Sequence, residues 1–376
     1  MESHNGNASQ AKPRVVIAGA GLAALETVLA LRALAGARVT IDVVAPTTEL
    51  VYAPMTVAEP FDVGRALNFD LLAIAAELDA DLHTGTAAAV DADRHVLLTS
   101  AGERIGYDAL VVAIGAERRA WLPGAITFGG RGDAGALRQL LALVDAGSVR
   151  RLAFAAPPTD GWVLPLYELA LLTAARLRSA NPRITVVTPE DAPLDAFGPS
   201  ASEAVAGVLA ERGVDCWTDS CAAFFAPPRL QVVPDGILFV DAAVALARLE
   251  GVALAGLPRD RRGFIPVDEY CRVPGTDGVY AVGDGTVAAM RQGGLATQQA
   301  DVVAGHLAAA FGASAEPQPF RPVLRGLLLT GGEALWLQQD GAHAEPPWWP
   351  PSKVAGRYLG PYLAGLARSG RAIASV

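Results

Sequence analysis

The chain has 376 residues, a formal net charge of −9 and 18% charged residues, with a mean hydropathy of +0.31. Such a composition excludes an intrinsically disordered chain, and the acidic balance argues against nucleic acid, whose phosphates call for a basic surface. Three cysteines are too few for a disulfide framework, which fits a reducing cytoplasm, and the five histidines lack ligand spacing, so no metal site is expected.

Residues 1–13 are polar and lack the apolar stretch of a signal peptide, so they read as a disordered tail. No apolar run reaches the roughly 18 uninterrupted residues of a spanning helix. Val15 to Ala18 then form an apolar run suited to a parallel strand covered on both faces. Gly19, Gly21 and Ala24 follow as G-x-G-x-x-A, and Leu22 to Leu34 reads as a helix with Leu25, Leu29 and Ala33 on one face. Gly19 permits a tight turn, and Gly21 lets a pyrophosphate approach the backbone. Ala24 keeps helix and strand close, and the turn and first helical residues Ala20, Leu22 and Ala23 bring amides to the phosphate.

Val39 to Val44 reads as the next strand, followed by Ala45 and Pro46 where a dinucleotide fold often carries a ribose-binding acid. Thr47, Thr48 or a backbone amide would have to substitute. Residues 67–80 look helical, and Thr86 to Val90, which includes Ala88, and His95 to Thr99 alternate like short strands. Tyr107 to Ala116 is another buried strand, carrying Ala113 and ending at Gly115.

Arg151 to Ala155 opens a second strand-helix unit, extended by Ile184 to Thr188, a helix from about Ser200 to Arg212, and Val214 to Thr218. Its turn, Ala156 to Glu168, holds one glycine, three prolines and Trp162 where a nucleotide turn needs glycines. Bulky side chains would fill the pyrophosphate's volume, and each proline removes an amide donor. Cys216 and Cys221 bracket a strand end and Cys271 stands alone, most simply as structural residues. Gly278 to Asp284 is a short buried strand ending at Gly283 and Asp284, and a helix opens near Gly294 and Leu295 and runs to about Phe311. Asp284 reads as an acceptor for a sugar-like chain or as a turn aspartate. The tail holds Pro346-Pro-Trp-Trp-Pro-Pro351 and an apolar face of Tyr358, Leu359, Tyr362, Leu363 and Leu366 beside Lys353, Arg357 and Arg368. That face suits a membrane interface, the protein's own surface or a second copy in a homodimer.

These segments resemble the two-dinucleotide-domain flavoproteins of the pyridine nucleotide–disulfide oxidoreductase superfamily. The nearest branch looks like sulfide:quinone oxidoreductase, flavocytochrome c sulfide dehydrogenase and type II NADH dehydrogenase. The resemblance implies an α/β chain of two Rossmann-like three-layer domains, the second inserted in the first. An FAD domain would span 14–125 and 263–325, an NAD(P)-binding-like domain 126–262, and a C-terminal segment 326–376. It further implies FAD on the first glycine turn and Asp284 on its ribityl chain. The helix start at Gly294 and Leu295 would meet the flavin pyrimidine edge, and Pro54 of Glu49-Leu-Val-Tyr-Ala-Pro54 would lie beside the ring system.

By the same likeness, sulfide-oxidising relatives carry a redox cysteine before a helix start like Tyr167-Glu168, and Trp162 stands near its position. Sulfide oxidation needs a thiolate, and NADH oxidation needs the missing glycine turn. The resulting expectation is an FAD oxidoreductase passing electrons from another small donor to a quinone-like or other small acceptor. Glu168 would be a proton donor or acceptor (or simply a helix-start carboxylate), with Tyr167 and Trp162 shaping the pocket. Two alternatives stay open. One is an NAD(P)H dehydrogenase using Glu190, and the other a non-catalytic flavin-binding scaffold that recruits a partner through its tail.

Overall fold

The computed structural model describes residues 11–159, 161–339, 341–343, 353 and 356–374. The tail expected at 1–13 lies mostly outside these residues, but Pro13 is tied down, its carbonyl accepting from Thr40 N at 3.0 Å. The proline–tryptophan stretch 346–351 lies outside the described residues.

Two parallel five-stranded sheets dominate. In the first, the order is Val279–Ala281, Ala109–Val112, Arg14–Ala18, Thr40–Ala45 and Asp81–Thr84. Val15 to Ala18 are fully buried, because apolar clusters cover both faces of this sheet. Helix α1 (Leu22–Leu34) follows the first strand directly. The second sheet runs Ile126–Phe128, Ala242–Leu246, Arg151–Ala155, Arg183–Val187 and Val214–Trp217, again all parallel. The chain thus leaves the first sheet after Ala109–Val112, builds the second, and returns for Val279–Ala281.

Residues 67–80 are not one helix. Leu67–Asp70 is a strand and only Leu71–Glu77 is α2. Asp70 sets the boundary, since its carboxylate caps α2 by accepting from Leu72 N and Ala73 N. The strand is held by antiparallel partners distant in sequence, Glu49–Val51 and Ala372–Ala374. Helix α3 (Ala134–Asp145), helix α4 (Leu164–Arg176) and helix α5 (Pro199–Glu211) flank the second sheet.

Helix α6 (Gly293–Ala310) packs along α1. Both helices present buried alanines, Ala23, Ala24 and Ala30 on one and Ala300, Ala304 and Ala308 on the other, and small side chains let helix axes approach closely. Helix α7 (Leu359–Arg368) buries Leu359, Leu363 and Leu366 against Leu25, Leu29, Phe69, Leu71 and Ile74. Of the settings open for that apolar face, the structure shows packing on the protein's own surface. No helix among the described residues is long and apolar enough to cross a membrane.

Candidate active site

The first crevice opens where the Arg14–Ala18 strand gives way to α1. Gly19 has φ +120°, its amide donates to Val44 O at 2.8 Å, and a Cβ there would lie 2.2 Å from the Ala113 carbonyl oxygen. Only glycine fits so close to a neighbouring strand tip. Gly21 caps α1 without any side-chain cap, and a Cβ on it would meet nothing within 4 Å. The first amides of α1, at Leu22 and Ala23, therefore have no partner within the helix, and Leu22 lines the cavity at this crevice. Ala20 is half-buried beside them.

The opposite wall comes from the Val279–Ala281 strand. Gly283 has φ +78° and donates to Gln299 Oε1 at 2.7 Å, and a Cβ on Gly285 would lie 2.9 Å from Gly115 O. This packing presents Asp284 to a cavity of about 240 Å³, shared with Leu22, Pro54, Trp162, Gly293 and Lys353. Asp284 makes no hydrogen bond among the described residues. Burial raises its pKa, while Arg118 and Arg291 pull the other way. Arg291 is buried, with its guanidinium 3.5 Å from the Phe264 ring centroid.

Some expected cofactor contacts are arranged differently. The Leu295 amide already donates to Gln292 Oε1 at 2.9 Å, and Gln292 Nε2 bonds Arg325 O, so Gln292 caps α6 where a flavin edge was expected. Gly294 is buried under the same side chain, whose Oε1 would lie 2.8 Å from an added Cβ. Ala45 is fully buried and its carbonyl accepts from Gly85 N, while the Thr47 hydroxyl bonds Glu49 O. Ala88 is exposed on its strand, with its carbonyl accepting from Ala255 N. Neither Ala45 nor Ala88 lines the cavity.

The three proposed catalytic residues separate. Trp162 lines the cavity and leans on Phe197, ring centroids 5.8 Å apart. Tyr167 faces away, fully buried, its hydroxyl donating to Glu190 Oε2 at 2.6 Å. Glu168 is also fully buried instead of facing the cavity. It accepts from Lys353 Nζ at 2.6 and 2.5 Å and from Leu329 N at 3.0 Å. Burial raises the Glu168 pKa, against the pull of Lys353. Lys353 is therefore the charged group of this pair that reaches the cavity. Sequence pattern offered no sign of it, because the two partners are 185 residues apart.

The second turn offers fewer free amides. Pro165 supplies no amide in the first turn of α4, and Leu166 N already donates to Val163 O at 2.8 Å. A second cavity of about 470 Å³ lies between this turn and the end of Arg183–Val187, lined by Trp162, Phe197, Glu190, Asp191 and Asp195. Burial pushes Glu190 up to about 7, against hydrogen bonds from Tyr167 and Thr188. None of the three cysteines lines either cavity.

The sequence profile described as pyridine nucleotide-disulphide oxidoreductase matches residues 12–151 and 168–301. The chain belongs to this family. The family is one of flavoproteins, and the chain is an oxidoreductase. The unmatched gap, 152–167, holds the proline-rich turn. Over 300 residues the chain is 30% identical to an NADH dehydrogenase-like protein of Mycobacterium tuberculosis, covering 74% of each. Its fold is similar to the sulfide:quinone oxidoreductase of Aquifex aeolicus, with TM-score 0.79, 17% identity, and 96% and 90% of the two chains covered. A ferredoxin reductase from Rhodopseudomonas palustris is similar at TM-score 0.63 and 19% identity, with 86% and 82% covered.

Proposed function

We propose that the chain is an FAD-dependent oxidoreductase that takes electrons from a small donor other than sulfide or NAD(P)H and passes them to a quinone-like or other small acceptor. The observation that carries this reading is the contrast between the two crevices. The first has a glycine turn closed against Ala113, α1 amides without a side-chain cap, and on its wall Asp284, which makes no hydrogen bond among the described residues. These features fit FAD, with its pyrophosphate over Gly19 to Ala23 and a hydroxylated chain on Asp284. FAD, when bound, supplies the electron transfer itself.

The chain's own groups do the rest. Trp162, Val57, Phe128 and Leu327 make the cavity largely apolar and restrict water. Glu168 fixes the Lys353 ammonium at the cavity wall, where it can stabilise a developing anion or donate a proton from Nζ. With no cysteine on the wall, the thiolate route to sulfide has no nucleophile.

A spectrum of the purified protein with a flavin band near 450 nm, roughly one per chain, is the expected result. Photoreduction followed by a quinone screen then tests the acceptor, and reoxidation no faster than by oxygen alone would count against it. The alternative donor, NAD(P)H, is favoured by Glu190 just beyond the Arg183–Val187 strand and by the name of the mycobacterial relative. Stopped-flow mixing decides between them, since flavin bleaching within seconds by NADH or NADPH would replace the first reading with the second.

A further inference from the structure

The N-cap residue and the first residue of the C-terminal helix, Tyr358 and Leu359, are gripped by a carboxylate from the other end of the chain. Glu26 on α1 is fully buried, and its two oxygens accept from Tyr358 N at 2.9 Å and Leu359 N at 2.5 Å. No side chain of the C-terminal segment caps α7, so Glu26 supplies the cap from outside. Gly356 fits the same contact, because a Cβ there would lie 3.0 Å from Glu26 Oε2 and 2.9 Å from Leu359 Cβ.

A second carboxyl faces the first. Asp301 on α6 interacts with Glu26, and its Oδ1 is buried without a donor among the described residues. Two carboxyls in one poorly solvated site do not both ionise readily. Burial first, then the Glu26 charge, pushes Asp301 up to about 8, with Arg357 pulling the other way. Burial also raises Glu26, against the amides of Tyr358 and Leu359. The remaining polar groups around the pair are the Tyr358 phenol, itself raised by burial, the Thr297 hydroxyl, and Gln298 and Arg321, which share a surface hollow with Asp301.

We infer that Glu26 and Asp301 form a proton-sharing clamp that docks the start of α7 and thereby positions Lys353 in the cavity. Lys353 lies three residues before Gly356, so a segment released at Gly356 to Leu359 no longer holds the lysine against Glu168. Glu26 and Asp301 are positioning residues, and neither lines the cavity that Lys353 reaches. The inference stands independently of which donor or acceptor the protein uses.

The sign follows from proton linkage. With the segment undocked, Asp301 on α6 regains solvent and its ordinary pKa of 3.8. Docking therefore weakens by up to about tenfold per pH unit as pH rises toward 8, then levels off. Hydrogen exchange of the α7 amides in the full-length protein, corrected for intrinsic rates, should show this rise in opening between pH 6 and 8. The Asp301→Asn variant should be flat, since its amide can donate to Glu26 at every pH. Trypsin at pH 8.5 should cut after Lys353 and Arg357 faster in the wild type than in this variant. Should Asp301→Asn fold poorly, judged by exchange of the Arg14–Ala18 amides, Glu26→Gln should make the slope shallower, because it removes the partner charge and leaves only the burial of Asp301. A pH-independent wild-type opening, or the same slope in either variant, would overturn the clamp.

Discussion

Replacing Lys353 by methionine keeps most of the side-chain stem and removes the only cation bonded to Glu168 among the described residues. Glu168 is then a carboxylate at 0% exposure with one remaining donor, Leu329 N. A buried charge in that state either stays ionised at a cost of several kcal/mol or takes up a proton. Protonation sets the ceiling. From an ordinary pKa of 4.5, neutralising the carboxyl costs about 1.36 kcal/mol for each pH unit above it, or about 3.4 kcal/mol at pH 7 and about 0.7 kcal/mol at pH 5. In the variant the folded-state pKa lies above the unfolded one, so stability is retained near pH 4.5 and lost as pH rises. Burial already raises Glu168 in the wild type, so denaturant unfolding at pH 5 and pH 7 with unchanged m-values should show a loss larger at pH 7 by at most about 2.7 kcal/mol. The double variant Lys353→Met/Glu168→Gln should lose under about 1 kcal/mol at both, because a neutral pair leaves no buried charge. Equal losses at the two pH values in the single variant, or a double variant as unstable as the single one, would refute the argument.

Gly19→Ala should cost more than about 2 kcal/mol, since a Cβ 2.2 Å from Ala113 O at φ +120° forces the strand tips apart. The purified variant should also lose its flavin absorbance, and a native spectrum with an unshifted unfolding midpoint would contradict this. Burial alone would raise Asp42, but hydrogen bonds from Arg14 and His83 hold it below 3.8. Its contribution is present above pH 3.8 and lost as pH falls further. Asp42→Asn should thus cost about 1–2 kcal/mol at pH 7, limited by the 40% exposure of Arg14, and the difference should shrink at pH 3. Glu190, pushed up to about 7 from 4.5, makes the folded state less stable as pH rises between those values. Glu190→Gln should remove that slope and gain up to about 3 kcal/mol above pH 7. Parallel stability profiles for the two proteins would show the shift is absent.

The legible parts of the site were those set by local backbone demands. Gly19 and Gly21 stand at the expected strand-to-helix turn, because a strand followed at once by a helix allows few residues there. The proline-rich turn before α4 was readable for the same reason, since a missing amide is missing in any fold. The strand Leu67–Asp70 was misread as helix because its partners, Glu49–Val51 and Ala372–Ala374, come from elsewhere in the chain. The Gln292 side chain that caps the Leu295 amide was not legible, because a rotamer carries no sequence signature.

Sequence alone determined that two buried parallel units exist, that one carries a G-x-G-x-x-A turn, and that the other carries a proline-rich one. It also showed an apolar face on α7, though not what that face meets. Tertiary structure decided that Trp162 reaches the cavity while Tyr167 and Glu168 turn inward, and that Lys353 takes the charged position at its wall. The reason is that burial belongs to the assembled chain. A carboxylate on α4 becomes partner to a lysine 185 residues away only when the C-terminal segment closes over both, and no periodicity or spacing encodes that closure.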